Sequence, residues 1–329
     1  MTAFLVRRLL SAAVVLLVVA AVVYFLFYLM PGDPAALACG KRCDAATLAQ
    51  VRQAMGLNRP VYAQFWTFLS SLFTGHSYNT GVGTTWCSAP CLGYSFQSYE
   101  PVTQLLMQRL PVDASLTLGA AVLWLALGIG FGLFSALRPN GLRDKATTFI
   151  GLTLGSVPVF IMALLLLLVF CEWWQILPFP TYVPLQQNPG QWAENLLLPW
   201  FAIALVMAGG YLRLTRAGVL EALSQDHIRT LRAYGYAERR VVTRHAVRGA
   251  LPTIVTLAAM DIGSVLGGAV FTESMFGLPG LGKLAVDAAG TIDLPVITGV
   301  TLLAAFVIVV ANTVADLLYA VLDPRVRIR

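Results

Sequence analysis

The sequence predicts an all-α integral membrane protein of six transmembrane helices, with both termini cytoplasmic and a large extracytoplasmic loop after the first helix. Three observations lead there. Of 329 residues, 58% are hydrophobic and 12% charged, whereas soluble domains carry about 25% charged residues. Six apolar runs are long enough to cross about 30 Å of hydrocarbon. Basic residues then collect on alternate connections. One side holds Arg7 and Arg8; Arg138, Arg143 and Lys145; eight arginines between Arg213 and Arg248; and Arg325, Arg327 and Arg329. The other side holds Lys41, Arg42, Arg52, Arg59, Arg109 and Lys283, so sixteen basic residues face six. Positive charge favours the cytoplasmic side, which fixes the orientation. It also reads the net charge of +6 as loop topology. No basic–aromatic interleaving accompanies it, which excludes nucleic acid as a partner.

The elements follow in order. Residues 1–30 form a basic leader and a first span, Leu9–Met30. The apolar run is longer than a signal-peptide core, and Pro31-Gly32-Asp33-Pro34 separates it from the cleavage-like Ala36-Leu37-Ala38, so an uncleaved helix is expected. Residues 31–111 form an extracytoplasmic region with two short helices, Asp44–Met55 and Pro60–Leu72. The stretch Gly75–Ser98 has little periodicity. Residues 112–322 form a five-helix core with a cytoplasmic loop, 215–250. Its spans are Leu116–Leu137, Thr147–Cys171 (kinked at Pro158), Leu196–Leu214, Leu251–Phe271 and Pro295–Leu322. Trp173, Trp174 and Trp192 are expected as interface anchors. Residues 323–329 are a basic cytoplasmic tail. No internal repeat is apparent.

Four of the five cysteines lie in the outer region. Cys39 and Cys43, like Cys87 and Cys91, are separated by three residues. An oxidising compartment favours disulfides, and four cysteines allow three pairings. A zinc site is a minor option at this spacing. A redox dithiol relay, as in membrane disulfide oxidoreductases, is the alternative function, although such a relay normally uses Cys-x-x-Cys. Cys171 reads as a packing residue. His76, His227 and His245 all fall outside the apolar runs, so no buried histidine metal site is expected, and no metal ligands are assigned.

Asp261, Glu273 and Asp316 lie within or beside spans. A carboxylate in hydrocarbon is costly and belongs against a cavity or a partner. Asp261 is the most central and is expected to line a water-filled pathway. Asp316 is expected to be solvated at an interface, or bonded to Asn312 or the C-terminal arginines. The chain has no GxxxxGK[ST] phosphate loop, no HExxH and no G-x-S-x-G. It carries no ATPase site of its own, and no catalytic residue or cofactor is assigned.

The longest polar stretch between apolar runs of the second half is Glu221–Pro252. Asp226 is a candidate helix cap. Ile228, Leu231 and Tyr234 recur at helical spacing as a narrow apolar stripe, flanked by Arg229 and Arg232. Gly235 stands where a left-handed residue ends a helix. The stretch reads as a docking helix, or more simply as a solvated loop whose arginines set topology.

These residues resemble the EAA loop of ABC-importer permeases of the dipeptide/oligopeptide branch. The matching residues run Asp226-His227-Ile228-Arg229-Thr230-Leu231-Arg232-Ala233-Tyr234-Gly235, then Arg244-His245-Ala246-Val247-Arg248-Gly249-Ala250-Leu251-Pro252. They depart from the family pattern at His227, Leu231, Tyr234 and Gly249. Four further matches come in family order. They are Met30–Pro34; Gly268–Gly282, with Glu273, Phe276, Pro279, Gly280 and Gly282; Asp293-Leu294-Pro295 with Asn312–Tyr319; and Asp323-Pro324-Arg325. The cysteine-containing insert has no counterpart in the family pattern. The resemblance implies a B-type permease in the bacterial inner membrane, forming half of a translocation pathway. A second homologous permease, two cytoplasmic ATPases holding ATP and Mg, and an extracytoplasmic peptide-binding protein would be its partners, in contact with membrane lipid. It implies ATPase coupling through Glu221, Asp226, Ile228, Arg229, Thr230, Leu231, Arg232, Ala233 and Gly235, with the apolar stripe seated in an ATPase groove. It further implies a gate at Glu273–Gly282.

Overall fold

The computed structural model describes residues 2–28, 35–36, 44–54, 56–79 and 83–322. The motif Met30–Pro34, the pair Cys39 and Cys43, and the tail 323–329 lie outside the described residues. The described chain is mostly helical. Among the described residues, five helices are long and apolar enough to cross a membrane, and a sharply bent helix pair makes a sixth crossing if it is counted as one.

Helix α1 (Thr2–Tyr28) presents Leu9, Leu10, Val14 and Leu17 on its surface and packs along the last helix, where Arg8 pairs with Asp316. Arg8 thus stands where Asn312 was an expected partner of Asp316, while the C-terminal arginines lie outside the described residues. Arg8 answers the charge because both ends meet at the same depth of the bundle. Helices α2 (Ala45–Ala54) and α3 (Val61–Thr74) stand close to the expected positions. Pro60 is the N-cap of α3 rather than its first turn.

The stretch Gly75–Ser98 is not structureless. Strands β1 (His76–Asn79) and β2 (Thr84–Cys87) pair antiparallel, with His76 opposite Cys87. Strands β3 (Tyr94–Ser95) and β4 (Glu100–Pro101) form a second pair. Cys87 and Cys91 are joined by a disulfide. The rings of His76, Tyr78, Tyr94 and Phe96 pack in series at centroid distances of 4.9, 5.7 and 5.2 Å. Burial in this cluster pushes the Tyr78 hydroxyl up to about 12. These strands are two to four residues long, too short for alternation to show in the sequence.

Helix α4 (Val102–Ala136) begins fourteen residues before the expected span and carries Pro111 inside it. Val102, Leu105, Leu106, Val112 and Leu116 recur on one buried face, so packing holds the helix through the proline. At 35 residues it is about 52 Å long. The single kinked span Thr147–Cys171 is instead two helices, α5 (Leu142–Ser156) and α6 (Val159–Leu167), bent by 99° where they meet. Pro158 has no N–H to continue the ladder, and it forces Val157 out of the helical region, to φ −80° and ψ 126°.

Helix α7 (Pro189–Ser224) is the hub. The Asn188 side chain caps it, accepting from the amides of Gly190 and Gln191 at 3.1 Å each. Glycines let its neighbours close on it. A Cβ on Gly209 would come within 2.2 Å of the Gly151 carbonyl oxygen on α5, and one on Gly132 within 2.6 Å of Thr215. Trp192 packs on Trp200 with ring centroids 5.2 Å apart, whereas Trp173 and Trp174 are exposed.

Helix α8 (Asp226–Ala233) and α9 (Glu238–Val241) follow, and a π-turn (Val242–Ala246) leads into α10 (Val247–Leu266). The expected span Leu251–Phe271 thus starts earlier, as one apolar helix from Glu238. It also stops earlier, at Gly267 and Gly268 (φ 132°). Phe271 belongs to α11 (Val270–Phe276), which folds against α12 (Leu281–Thr291) as an elbow. Helix α13 (Leu294–Leu322) completes the chain as expected.

Candidate functional site

The sites read from the sequence occupy three levels of the helix bundle. At one end, α8 hangs between α7 and α9. Its N-cap is Gln225, and Asp226 is the first helical residue, so the expected cap role of Asp226 is corrected. Asp226 instead lies 3.6 Å from Arg229, and both side chains are exposed. Ile228 is completely buried within the chain, and Val241 and Val242 beyond the turn are buried too. The apolar stripe therefore does not face outward as a unit. Ile228 pins α8 to its own molecule and Leu231 is half-buried, while Tyr234 is 79% exposed. His227, Arg229, Thr230 and Ala233 complete the outward surface, and Glu221 is exposed near the end of α7.

Gly235 takes the left-handed conformation, φ 76°, and reverses the chain after α8. The reversal returns Glu238 to Arg232, whose guanidinium donates to its two carboxylate oxygens at 2.6 and 3.1 Å. That carboxylate holds the Arg232 guanidinium above its ordinary value. Arg232 is thus paired within the chain. Beside this loop Asp144 is nearly enclosed. It accepts from Arg216 Nε and Nη2 at 2.6 and 2.8 Å, from the Asn140 amide at 2.8 Å and from the Ser135 hydroxyl. The end of α4, the start of α5 and the lower part of α7 are tied at that one carboxylate.

Midway, Asp261 on α10 accepts a hydrogen bond from the Tyr211 hydroxyl at 2.6 Å, and Tyr211 packs against the fully buried ring of Trp124. A cavity of about 560 Å³ lies between α4, α10 and α13. Leu125, Ile129, Ile254, Ala258, Ile262 and Phe306 are among its apolar walls, and Asp261 does not line it. Asp261 is held by a partner on α7 instead.

At the other end, the elbow gathers the residues expected of a gate. Phe276 is buried, Pro279 half-buried, and Glu273 fully buried. Gly282 must lack a side chain, since a Cβ there would meet the Val270 backbone at 2.6 Å. Gly280 leaves room for Glu273 in the same way. Glu273 Oε2 accepts from the Lys283 amide at 2.8 Å, and Asp113 Oδ2, on α4, accepts from the Leu281 amide at 2.9 Å. The outer strands are fastened to this elbow. The Ser95 hydroxyl donates to Asp293, and Gln97 Nε2 donates to the Thr291 carbonyl at 2.9 Å. Burial pushes the Asp293 carboxyl up, against the opposing effect of its bonds to Ser95 and the Val296 amide.

Sequence reasoning overlooked Asp113, Tyr211, Trp124, Ser95 and the Asp144–Arg216 pair. Asp113 falls between the expected outer region and the expected span Leu116–Leu137, because Pro111 reads as a boundary. The apolar spacing from Val102 to Leu116 was the signal that it sits inside a helix. Tyr211 in a span carries a hydroxyl that needs a partner when buried, and Asp261 is the most central carboxylate of the other spans.

A family model described as binding-protein-dependent transport system inner membrane component matches residues 128–328, and the model of its N-terminal part matches residues 1–117. The chain belongs to this permease family. A Brucella abortus protein provisionally named as a peptide transport system permease is 36% identical over 327 residues, covering 99% of each chain. An oligopeptide transport system permease of Bacillus subtilis is 34% identical over 333 residues, again 99% of each. A glutathione transport system permease of Pectobacterium atrosepticum is 34% identical over 334 residues, with the same coverage. None of these three names describes thiol redox chemistry. A chain of the methionine ABC transporter MetNI, solved in inward-facing conformations, shares the fold at a TM-score of 0.51 and 16% identity, covering 67% of this chain and 97% of that one. The N-terminal match spans the cysteine-containing insert, so the permease family includes a region at this place in the chain.

Proposed function

We propose that the chain is a permease subunit of an ATP-driven peptide importer in the bacterial inner membrane, spanning it six times with both termini cytoplasmic. It forms half of the pathway, beside a second homologous permease. Two cytoplasmic ATPase subunits hold ATP and Mg and drive transport, and an extracytoplasmic binding protein delivers the peptide. The chain itself performs no ATP hydrolysis. The substrate class is supported by the relatives named for peptide, oligopeptide and glutathione transport.

One observation carries the coupling role. Helix α8 is short, pinned by a single buried residue, Ile228, and otherwise projects Tyr234, Arg229 and Thr230 from the same end of the bundle as the basic turns. Such an element moves as a rigid knob when pushed, and the Arg232–Glu238 bridge passes that displacement to α9 and so into α10. The pathway-facing role is assigned to Asp261, which meets the peptide's ammonium with its charge while Tyr211 fixes its orientation. Unchanged peptide uptake in Asp261→Asn would remove that role.

The test of coupling is Arg232→Glu combined with Gly235→Asp in the assembled transporter. The aspartate strains the left-handed turn and the glutamate repels Glu238. Loss of peptide uptake and of peptide-stimulated ATP hydrolysis is expected, with the chain still in the membrane. Normal uptake in this variant contradicts the reading.

A further inference from the structure

Two carboxyl groups converge on the first turn of α12 at the elbow. Asp113 and Glu273 are both fully buried. Each uses one oxygen on a first-turn amide of α12, Leu281 and Lys283 respectively. Gly280, the N-cap of that helix, offers no side-chain cap, so carboxyls from α4 and α11 do the capping. Their remaining oxygens, Asp113 Oδ1 and Glu273 Oε1, are buried and have no donor. The two groups therefore cap the same first turn, on amides two residues apart.

Neighbouring charges do not resolve this. The elements packed around the pair also carry Arg109 on α4, Lys283 and Asp287 on α12, Glu194 and Tyr211 on α7, Glu172 and Cys171 after α6, Asp261 on α10 and Asp293 before α13. Among the described residues none of these side chains forms an ion pair or hydrogen bond with either carboxyl. Two buried carboxylates in contact cannot both stay ionised without a cation. The α12 dipole accommodates one negative charge at its N-terminus, not two. A single proton between the two orphaned oxygens satisfies both, as donor to one and covalent partner of the other.

We propose that Asp113 and Glu273 form a proton-binding site that locks the elbow. With the proton bound, one carboxylic acid donates to the facing carboxylate, and α11 and α12 are held on α4. When the proton leaves to water, two carboxylates face each other and the elbow swings away about the left-handed glycines Gly268 and Gly277. The site is independent of what the transporter carries.

The experiment uses the full chain in the assembled transporter in lipid nanodiscs. Infrared difference spectra across a pH titration should show loss of one carboxylic-acid carbonyl band as pH rises, and that loss should be absent in Asp113→Asn and Glu273→Gln. A spin label on Asp287→Cys, exposed on α12, should become more mobile over the same pH range. It should stay immobile in the Glu273→Gln background, where the amide donates permanently. Should those variants fail to assemble, Asp293→Asn, which removes the other raised carboxyl, decides: the band persists if it belongs to the pair, and its disappearance overturns the proposal. A spectrum without a titrating carboxylic acid overturns the proposal. So does Glu273→Gln titrating like the unmutated chain.

Discussion

The guanidinium of Arg232 bonds both carboxylate oxygens of Glu238, at 2.6 and 3.1 Å, across the turn at Gly235. Both side chains are about half exposed, so the bridge contributes only about 0–1 kcal/mol to stability. Its value lies in stiffness between α8 and α9. Glu238→Ala is therefore expected to leave the melting temperature nearly unchanged while reducing peptide-stimulated ATP hydrolysis. The exchanged pair Arg232→Glu with Glu238→Arg should restore much of the loss, measured as the coupling term of a double-mutant cycle in proteoliposomes.

Ile228 is the apolar anchor of α8. Truncation to alanine removes buried volume at a site with no exposure, at a cost of about 2–5 kcal/mol. The loss is local, because α8 is a peripheral helix. Hydrogen exchange over Asp226–Ala233 should quicken markedly in Ile228→Ala, with α4 and α7 still protected. Tyr234→Ala, at an exposed position on the same loop, should leave exchange unaltered.

The crossing of α5 and α7 depends on Gly209, where a Cβ would meet the Gly151 carbonyl oxygen at 2.2 Å. Backbone blocks backbone here, so a side-chain rotation cannot relieve the clash. Gly209→Val is expected to cost at least about 1–3 kcal/mol, read as a lowered melting temperature in detergent. Gly210→Val, where nothing lies within 4 Å, serves as the control.

Asp293 gives a pH dependence with a definite sign. Burial raises its carboxyl above the ordinary 3.8, so the folded chain binds more protons there than the unfolded chain. This contribution to stability is fully present below 3.8 and is lost as pH rises through the elevated folded value. Asp293→Asn should flatten that limb of the melting temperature against pH, and should keep the bond from Ser95.

Much of the fold was legible from composition. Spans read from uninterrupted apolar runs, such as Pro295–Leu322, stand almost unchanged, because length and hydropathy alone decide them. Prolines and glycines misled in both directions. Pro111 was read as a boundary and sits inside α4, held by packing on the buried face. Pro158 was read as a kink and divides two helices at 99°. Gly267 and Gly268 fall inside the expected span Leu251–Phe271, and they break α10 from the elbow. In each case local chemistry was correct, and tertiary packing decided its size.

The candidate sites were legible where one segment carries them. Gly235 takes its left-handed turn as its residue type required. What was hidden depends on pairs distant in sequence. Asp113 meets Glu273, Ser95 meets Asp293, and Tyr211 meets Asp261. A single sequence shows each half of such a pair but not their meeting. The inward turn of Ile228 was hidden for the same reason, since helical spacing defines a face and not what covers it.

The central claim is that α8 is the surface through which ATPase subunits act on this chain. A photo-cross-linking amino acid at Tyr234, in membranes containing the assembled transporter, tests it most directly. Cross-linking to a cytoplasmic ATPase subunit is expected, with a yield that changes between the nucleotide-free and ATP-bound states. Labelling of the same position by a membrane-impermeant reagent from the extracytoplasmic side, with no ATPase adduct, would contradict it.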